Sequence, residues 1–564
     1  MEDILPFLAT MKFARAAWLL GCIVQNASAF TVPSSKTSKF TSLRMETQDG
    51  EPFSVTEKES GPGQRRVLGS QELLMLPRQY TPESKAAEEL TTFPQMNHVS
   101  CAILSATPSE KILRQAIDET IKSHPLLRAH VEGDGEPDQR IDAFEMVREG
   151  EPNPCTFVAP RKSFSSQDVL AVVDVDGKNR EALDKSWQAY FNDDLDNGDW
   201  CDPKEGPMWK VQLHRLTGLT GGDSSPCALL FSFNHATSDQ SSANMMLDQI
   251  VADMAKIEEQ GSIKVQALEN KMPVALEDSV LGPKNRFSDK QLLAFRPSTF
   301  GYVVGKAAEG LKNPVILPDN SGNKAGGGLL GALTIISGNT AGGTDTGGPE
   351  RKSTLQFRKL SEDATTALLE KCRENSVSVT NALTATMTLV SSDFIDNGKP
   401  KGKERNYKVL QSLDMRRFGK QVDKGETVAC MAGSMDLMHG PIKDRSGAAL
   451  RKNPTSGRLS KFWQLAADGR NQTAAFIDAN GPENAVRVFD FAMTISDMNN
   501  LVDLTSKSKD SQGRAYSAGV SNVGVYERQS AVRRAAQVKR DTLKVSLERP
   551  VEILLKLALT RWFQ

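Results

Sequence analysis

The chain has 564 residues, which at roughly 100–200 residues per domain is enough for two to four domains or one large two-lobed unit. Apolar residues make up 39% and charged residues 25%, a composition typical of a folded protein rather than of a long disordered chain. The 69 basic residues balance 70 acidic ones and only 6% of residues are aromatic, so we expect no nucleic-acid partner. Seven dispersed cysteines show neither a CxxC pair nor zinc-ligand spacing, and no metal site is expected.

The first 45 residues have the composition of a targeting sequence. A short basic region, an apolar run and the small residues Ala27-Ser28-Ala29 predict a signal peptide over residues 1–29, with Met11 as an alternative start. Phe30 follows, and residues 30–45 are basic and hydroxyl-rich without an acid, which predicts a plastid transit peptide. The pair resembles the bipartite presequence of algae with red-derived secondary plastids. We expect a plastid protein that passes through the endoplasmic reticulum; a secreted protein is the alternative.

The remaining chain divides at a segment rich in glycine. Residues 46–65 are polar and predict a flexible lead-in. Residues 66–320 form a predicted first lobe, and the glycine-rich residues 321–350 a linker or surface insertion. Residues 351–564 form a predicted second lobe, whose basic tail from residue 526 is atypical and contains an amphipathic stretch that suits contact with a membrane surface.

Strands and helices alternate in the predicted first lobe. Thr107 and Glu110 suit a capping box, Pro108 suits the first helical position, and the helix they open should end at His124, before a proline. The buried face of this helix is expected to hold five apolar residues: Ile112, Leu113, Ala116, Ile117 and Ile121. Three strands are predicted by apolar runs or alternation: Cys101–Leu104, Trp209–Leu213 and Cys227–Phe233.

The second lobe is predicted to alternate in the same way, which indicates an α/β fold. Ser361 should cap a helix, and a second apolar-rich helix follows. The segment from Cys430 to Met435 is interpreted as a strand of small residues rather than a nucleophile site, because Ser434 lacks a GxSxG pattern. The other predicted elements are strands over Ser353–Leu360 and Tyr407–Leu413 and a helix over Thr380–Val390.

The segment most informative about chemistry is Phe231–Gln240. His235 directly follows a strand of buried type, small residues come next, and Asp239 precedes an amphipathic helix. An imidazole titrates near neutral pH and can take a proton from an alcohol as a bond forms. The same pattern also suits a structural histidine, and the spacing from His235 to Asp239 is weak by itself.

Several short motifs lie in a fixed order around this segment, and together they resemble the HxxxD acyltransferase superfamily. That group includes chloramphenicol acetyltransferase, alcohol acetyltransferases, plant acyl-CoA transferases and the condensation domains of peptide synthetases. The motifs are Leu68-Gly69-Ser70-Gln71-Glu72, His124-Pro125-Leu126-Leu127-Arg128, Gly206-Pro207-Met208-Trp209-Lys210-Val211-Gln212-Leu213, Asn234 to Gln240, Val379 to Ala385, Leu413-Asp414-Met415-Arg416-Arg417 and Ser521-Asn522-Val523-Gly524.

The resemblance implies two related α/β lobes, of the chloramphenicol acetyltransferase type, with a tunnel between them. It implies that His235 is the general base and that Asp239 is structural, orienting the loop through Arg416 or Arg417. Ser521 and Asn522 would line the tunnel and are candidates for stabilising an oxyanion. The co-substrate would be acyl-CoA or an acyl carrier protein, with no bound cofactor.

The expected function is transfer of an acyl group from a CoA thioester to a small-molecule alcohol, with a hydroxylated plastid pigment or lipid as the favoured acceptor. Two alternatives are a catalytically inactive binding protein of the same fold and an amide-forming condensation enzyme. Asn234, where many members have a histidine, Gln240 in place of a common glycine, and the atypical tail depart from the family pattern.

Overall fold

The computed structural model describes a large part of the chain. The predicted signal peptide, transit peptide, glycine-rich segment and tail from residue 526 lie outside the described residues, as does most of the predicted lead-in. The described residues are 64–76, 97–132, 156–159, 164–196, 201, 203–218, 225–261, 272–282, 297–310, 312, 314–315, 355–394, 404–419, 428–495 and 516–524.

Strands and helices alternate along the described residues, as the α/β prediction requires. The strands are β1 (Gln64–Val67), β2 (Asn97–Leu104), β3 (His130–Glu132), β4 (Thr156–Ala159), β5 (Leu170–Val175), β6 (Trp209–Leu216), β7 (Cys227–Asn234), β8 (Glu404–Asp414), β9 (Ala432–Lys443) and β10 (Ala518–Val520). The helices are α1 (Ser70–Met75), α2 (Glu110–Ser123), α3 (Ser166–Val169), α4 (Arg180–Asp196), α5 (Gln240–Gln260), α6 (Leu276–Leu281), α7 (Pro297–Gly310), α8 (Glu362–Glu374), α9 (Val379–Phe394), α10 (Ser446–Lys452), α11 (Ser456–Asp478) and α12 (Gly481–Ile495).

The described strands form three sheets. Two lie before the glycine-rich residues 321–350, in what we call the first half of the chain, and one lies after them, in the second half. The largest has the order β2-β7-β6-β5, in which β7 is antiparallel to both neighbours and β5 is parallel to β6. A small antiparallel sheet has the order β1-β4-β3. The second half contributes the order β10-β8-β9, with β10 parallel and β9 antiparallel to β8. The predicted α/β class is therefore confirmed.

The apolar run of β7 arises because helices cover both faces of its sheet. Leu229, Phe231 and Phe233 pack in a cluster with residues of α2 and α5. Ala228 and Leu230 face the opposite cluster, which contains residues of α4. Every residue of β7 is buried, as expected for a central strand covered on both faces. This rigid strand ends immediately before His235.

A third cluster joins the two halves of the chain beside the end of β7. It contains Ala236 from the first half together with Met415, Ala429 and Met431 from the second. Within the second half, Gly433 at the start of β9 lets Met415 of this cluster approach closely, since a Cβ atom there would lie 2.6 Å from Met415. The segments that surround His235 and Asp239 are therefore buried at the junction of the halves.

Two predicted elements differ from the structure. Residues 355–360 form no strand; instead Leu355 donates its N–H to Asn192, and Phe357 packs edge-on against Trp187. The helix predicted from Pro108 begins at Glu110, and no side chain caps it. Thr107 instead donates its hydroxyl to the Ser225 carbonyl at 2.8 Å, which ties this turn to the start of β7.

Other predicted elements are confirmed. Helix α2 buries Leu113, Ala116, Ile117 and Ile121 and ends at His124, whereas Ile112 is partly buried. Ser361 caps α8 by accepting the Ala364 N–H. The remaining predicted strands and helix correspond to β2, β6, β7, β8 and α9, and only the part of the Cys430–Met435 segment from Ala432 onward is a strand.

Helix α7 packs on the second half although it precedes the glycine-rich segment. Lys306 lies 3.0 Å from Asp436 of β9, and Val315 forms a bridge with Tyr407 of β8. The helix thus lies on the sheet β10-β8-β9, while its residues fall within the range 66–320 predicted for the first lobe. Among the described residues, no helix is both long and apolar enough to cross a membrane.

Candidate functional site

His235 occupies a tight turn between β7 and α5. The Asn234 side chain accepts the Ala236 N–H at 3.0 Å, and the Asn234 carbonyl accepts the N–H and the hydroxyl of Thr237 at 3.0 and 2.9 Å. An asparagine that bonds its own backbone two residues on is well suited to such a turn. Asn234 therefore shapes the loop that presents His235.

A row of stacked rings leads to His235 across the sheet. Phe233 pairs directly with His98 on β2 and with Trp209 on β6, and the three rings lie roughly parallel. The ring centroids of His98 and His235 are 5.4 Å apart with an interplanar angle of 44°. His98 thus brings a second imidazole beside the candidate base.

Gln240 contacts three polar side chains next to this pair. Its amide oxygen lies 3.1 Å from Nε2 of His98, and its amide nitrogen donates to Ser100 at 2.9 Å and to Asn244 at 3.0 Å. With the amide in this orientation, Nε2 of His98 is the donor. Gln240 therefore holds His98.

Asp239 caps helix α5 and binds the second half of the chain. Its carboxylate accepts the Ser242 N–H at 2.9 Å, the Met431 N–H at 2.8 Å and a hydrogen bond from Arg416 at 2.7 Å. Asp239 is only 5% exposed. Its oxygens are thus occupied by fixed donors, which suits a structural role.

The structure places Arg416, and not Arg417, against Asp239. The second terminal nitrogen of Arg416 donates to the Ser242 hydroxyl at 2.8 Å and to the Ala429 carbonyl at 2.9 Å. Arg417 is exposed. Both arginines lie in a short 3-10 helix that follows β8, and Asp414 caps it by accepting the Arg416 N–H.

The Asp239–Arg416 pair is charged in the folded protein. Burial alone would raise the pKa of the Asp239 carboxyl, but Arg416 and the two backbone donors lower it below its usual value. Burial alone would lower the pKa of Arg416, but Asp239 and Asp414 raise it. A carboxylate that stays ionised in this way orients the loop and does not exchange protons near neutral pH.

Cys430 is a residue of the second half that contacts the candidate base. Its Sγ lies 3.6 Å from Nδ1 of His235. Burial, together with the charge of Asp239, raises the pKa of the Cys430 thiol. The group beside the imidazole is therefore a neutral thiol, which argues against a nucleophilic role.

Ser521 and Asn522 follow β10 and bind other elements of the second half. The Ser521 hydroxyl accepts a hydrogen bond from Ser412 of β8 at 3.0 Å. The Asn522 amide donates to the Thr380 hydroxyl on α9 at 2.9 Å. Ser412 lies two residues before Asp414, and the Asp414 side chain accepts a hydrogen bond from Ser241 at 3.3 Å. Ser521 and Asn522 therefore lie beside β8, the strand whose end is at the site.

The contacts of Cys430 and His98 with His235 were not predicted from the sequence. Cys430 is 195 positions from His235, and no local pattern links them. Gln240 bonds His98, but its place in the sequence did not by itself point to that contact. Within the described residues, no group of three His, Cys, Asp or Glu side chains is placed to hold a metal ion.

Comparisons with known proteins give similarities in fold. No protein-family model matches the chain, and no curated protein matches it. It is similar to the first condensation domain of the CDA synthetase (TM-score 0.42, 11% identity, 68% of this chain and 70% of that chain). It is also similar to SgcC5 from Streptomyces globisporus, with a TM-score of 0.44 and 12% identity over 78% of each chain. A third similar structure is the condensation domain of the monacolin K polyketide synthase MokA, with a TM-score of 0.38 and 10% identity over 71% of this chain and 73% of that chain.

Proposed function

We propose that this chain is an acyltransferase that moves an acyl group from a CoA thioester to an alcohol, with His235 as general base. The observation that carries the proposal is the placement of His235. It follows a fully buried strand and contacts His98 of the first half and Cys430 of the second. An imidazole held from both halves is suited to act on two substrates that meet between them.

The proposed reaction needs only proton transfer and proximity. His235 takes the hydroxyl proton of the acceptor as its oxygen attacks the thioester carbonyl. The tetrahedral intermediate then expels the thiolate, which recovers the proton from the imidazolium. The products are an ester and the free thiol of CoA. Ser521 and Asn522 remain the candidates for donors to the oxyanion.

Asp239 and Arg416 support this reaction without touching the substrates. Their hydrogen bonds fix the start of α5 to the Ala429 and Met431 backbone. The His235 loop therefore moves little relative to the second half. Residues that hold a base within a fraction of an ångström of its working position are part of the proposed machinery.

We further propose a hydroxylated plastid pigment or lipid as the acceptor and the plastid as the location. The acceptor follows from the location alone, which rests on the composition of residues 1–45. A fusion of these residues to a fluorescent protein tests the location in an alga with secondary plastids. Fluorescence confined to the secretory pathway would contradict it.

The function is tested by incubating the purified chain with acetyl-CoA or longer acyl-CoA and a plastid pigment and lipid extract. We expect release of free CoA thiol and a product heavier by the acyl group, both detected by mass spectrometry. His235→Ala should lower the rate by about 10²–10⁴-fold, the usual contribution of a general base. His214→Gln, which changes a buried histidine of β6, is the matched control and should keep the activity.

The other functions predict different results in the same assay. Amide products formed only with amine acceptors or carrier-bound acyl groups would identify an amide-forming condensation enzyme. A folded chain without any product, across all donors tried, would contradict the proposal and favour a binding protein of the same fold.

A further inference from the structure

The four residues before β9 are held on both sides of Cys430. Val428, Ala429, Cys430 and Met431 are each at most 3% exposed. The Ala429 carbonyl accepts hydrogen bonds from Ser242 and Arg416, and the Ala429 N–H donates to the Ser242 hydroxyl. Three hydrogen bonds thus fix the peptide groups on the amino-terminal side of Cys430.

The carboxyl-terminal side of Cys430 is fixed equally. The Met431 N–H donates to Asp239 at 2.8 Å, and the Met431 carbonyl accepts the Met415 N–H at 2.8 Å. With both flanking residues held, the direction of the Cys430 Cα–Cβ bond is fixed. In the conformation that the side chain adopts, its sulfur lies 3.6 Å from Nδ1 of His235.

We propose that Cys430 is a positioning residue whose sulfur accepts the Nδ1–H of His235 and so leaves Nε2 as the nitrogen that exchanges a proton with the acceptor. The catalytic consequence rests on the proposed function, whereas the thiol–imidazole contact does not. A ring bound through one nitrogen is restrained in rotation and must exchange the acceptor's proton at the other nitrogen.

The chemistry of the thiol suits this role better than that of a nucleophile. A buried thiol whose pKa is raised carries little thiolate near neutral pH, and the thiolate is the nucleophilic form. The sulfur of a neutral thiol is a weak acceptor for the Nδ1–H of the ring. It therefore orients the imidazole without adding the negative charge that a carboxylate would bring beside it.

The Asp239–Arg416 pair therefore holds His235 in two ways. Asp239 caps α5 and so fixes the loop that contains His235. The pair also binds the backbone of Ala429 and Met431, on either side of Cys430, whose thiol contacts the imidazole. A base that is held by its own loop and by a neighbouring segment is placed more firmly than one held by its loop alone.

The test uses Cys430→Ala and Cys430→Ser in the full chain, with selective ¹⁵N labelling of histidine. Comparison with His235→Ala assigns the His235 ring signals. We expect the Nδ1 and Nε2 shifts of His235 to change in Cys430→Ala, because the ring loses its partner, and to stay near those of the wild type in Cys430→Ser. The serine variant also serves where the alanine variant does not fold.

Kinetics on an accepted acyl donor and alcohol provide the second measurement. Cys430→Ala should lower kcat about 10- to 100-fold, the effect expected of a misplaced catalytic group. KM should change less than about 2-fold, and Cys430→Ser should recover most of kcat. The matched control is Cys227→Ala, since the Cys227 thiol lies at the same distance, 3.6 Å, from the Ala106 carbonyl.

Two results would overturn the proposal. One is a His235 spectrum in Cys430→Ala identical to that of the wild type. The other is an acyl group found on Cys430 by peptide mass mapping after incubation with acyl-CoA, which would make the residue a nucleophile. The NMR measurement needs no turnover, so it decides the contact even in a chain that fails the acyltransferase assay.

Discussion

The guanidinium of Arg416 donates a hydrogen bond of 2.7 Å to the carboxylate of Asp239, 177 positions earlier in the chain. Arg416 belongs to the second half, and Asp239 caps the helix that follows the His235 loop. Their side chains are only 10% and 8% exposed. The pair therefore joins the two halves at the candidate site, away from water.

Breaking this pair is expected to destabilise the chain strongly. Asp239→Ala and Arg416→Ala should each lower the free energy of unfolding by about 3–5 kcal/mol, because each removes the nearest opposite charge of a buried ionised group. The double variant should lose less than the sum of the two, since neither charge remains. Urea denaturation of the four proteins gives the coupling energy.

An exposed pair provides the comparison. Arg180→Ala breaks a half-exposed contact with Asp184 and should cost less than about 1 kcal/mol. Where Asp239→Ala does not fold, Asp239→Asn keeps the shape of the helix cap and removes the charge. Additive single and double effects would show that Asp239 and Arg416 do not interact.

Replacing Gln240 by methionine tests the contact that holds His98. Methionine keeps the length of the side chain but binds neither His98 nor Ser100 and Asn244. We expect the free energy of unfolding to fall by about 0.5–1.5 kcal/mol, because partly buried polar groups lose hydrogen bonds. We also expect slower acyl transfer, since the His98 ring lies beside the His235 ring, with their centroids 5.4 Å apart.

The neighbouring Ser241→Ala is the control for this substitution. It removes one long hydrogen bond, 3.3 Å to Asp414, at the same end of the helix. If Gln240→Met and Ser241→Ala have the same free energy of unfolding and the same rate of acyl transfer, the contacts of Gln240 add nothing to stability or activity.

His214 should make the stability depend on pH below neutrality. Burial lowers the pKa of His214 from 6.5 to about 4. Between these values the unfolded chain binds a proton at His214 that the folded chain does not, so the free energy of unfolding falls as the pH falls. His214→Gln should reduce the decrease between pH 6.5 and 4 by about 2–3 kcal/mol.

Denaturation at several pH values checks this prediction. The variant should still lose some stability toward acid, because burial also lowers the pKa of His124. Parallel curves for the variant and the wild type would show that His214 titrates alike in the folded and unfolded chains.

Local patterns were enough to predict much of what surrounds His235. The apolar run of β7 needs no partner to be recognised, because a strand covered on both faces is apolar at every position. The amphipathic pattern of α5 likewise predicts a helix directly behind Asp239. The strand predicted over residues 353–360 was wrong for the described residues 355–360. Phe357 packs on Trp187 there, and the segment pairs with no strand within the described residues.

The sequence by itself determined the strand, the turn and the helix that place His235 and Asp239, because these depend on neighbours a few positions apart. Only the tertiary structure decided between Arg416 and Arg417, and only it brought Cys430 and His98 to the imidazole. The Arg416 and Cys430 contacts join the two halves of the chain, whereas His98 comes from a neighbouring strand of the first half. The partners are selected by how the sheets and their helices pack, a choice that no short stretch of sequence contains.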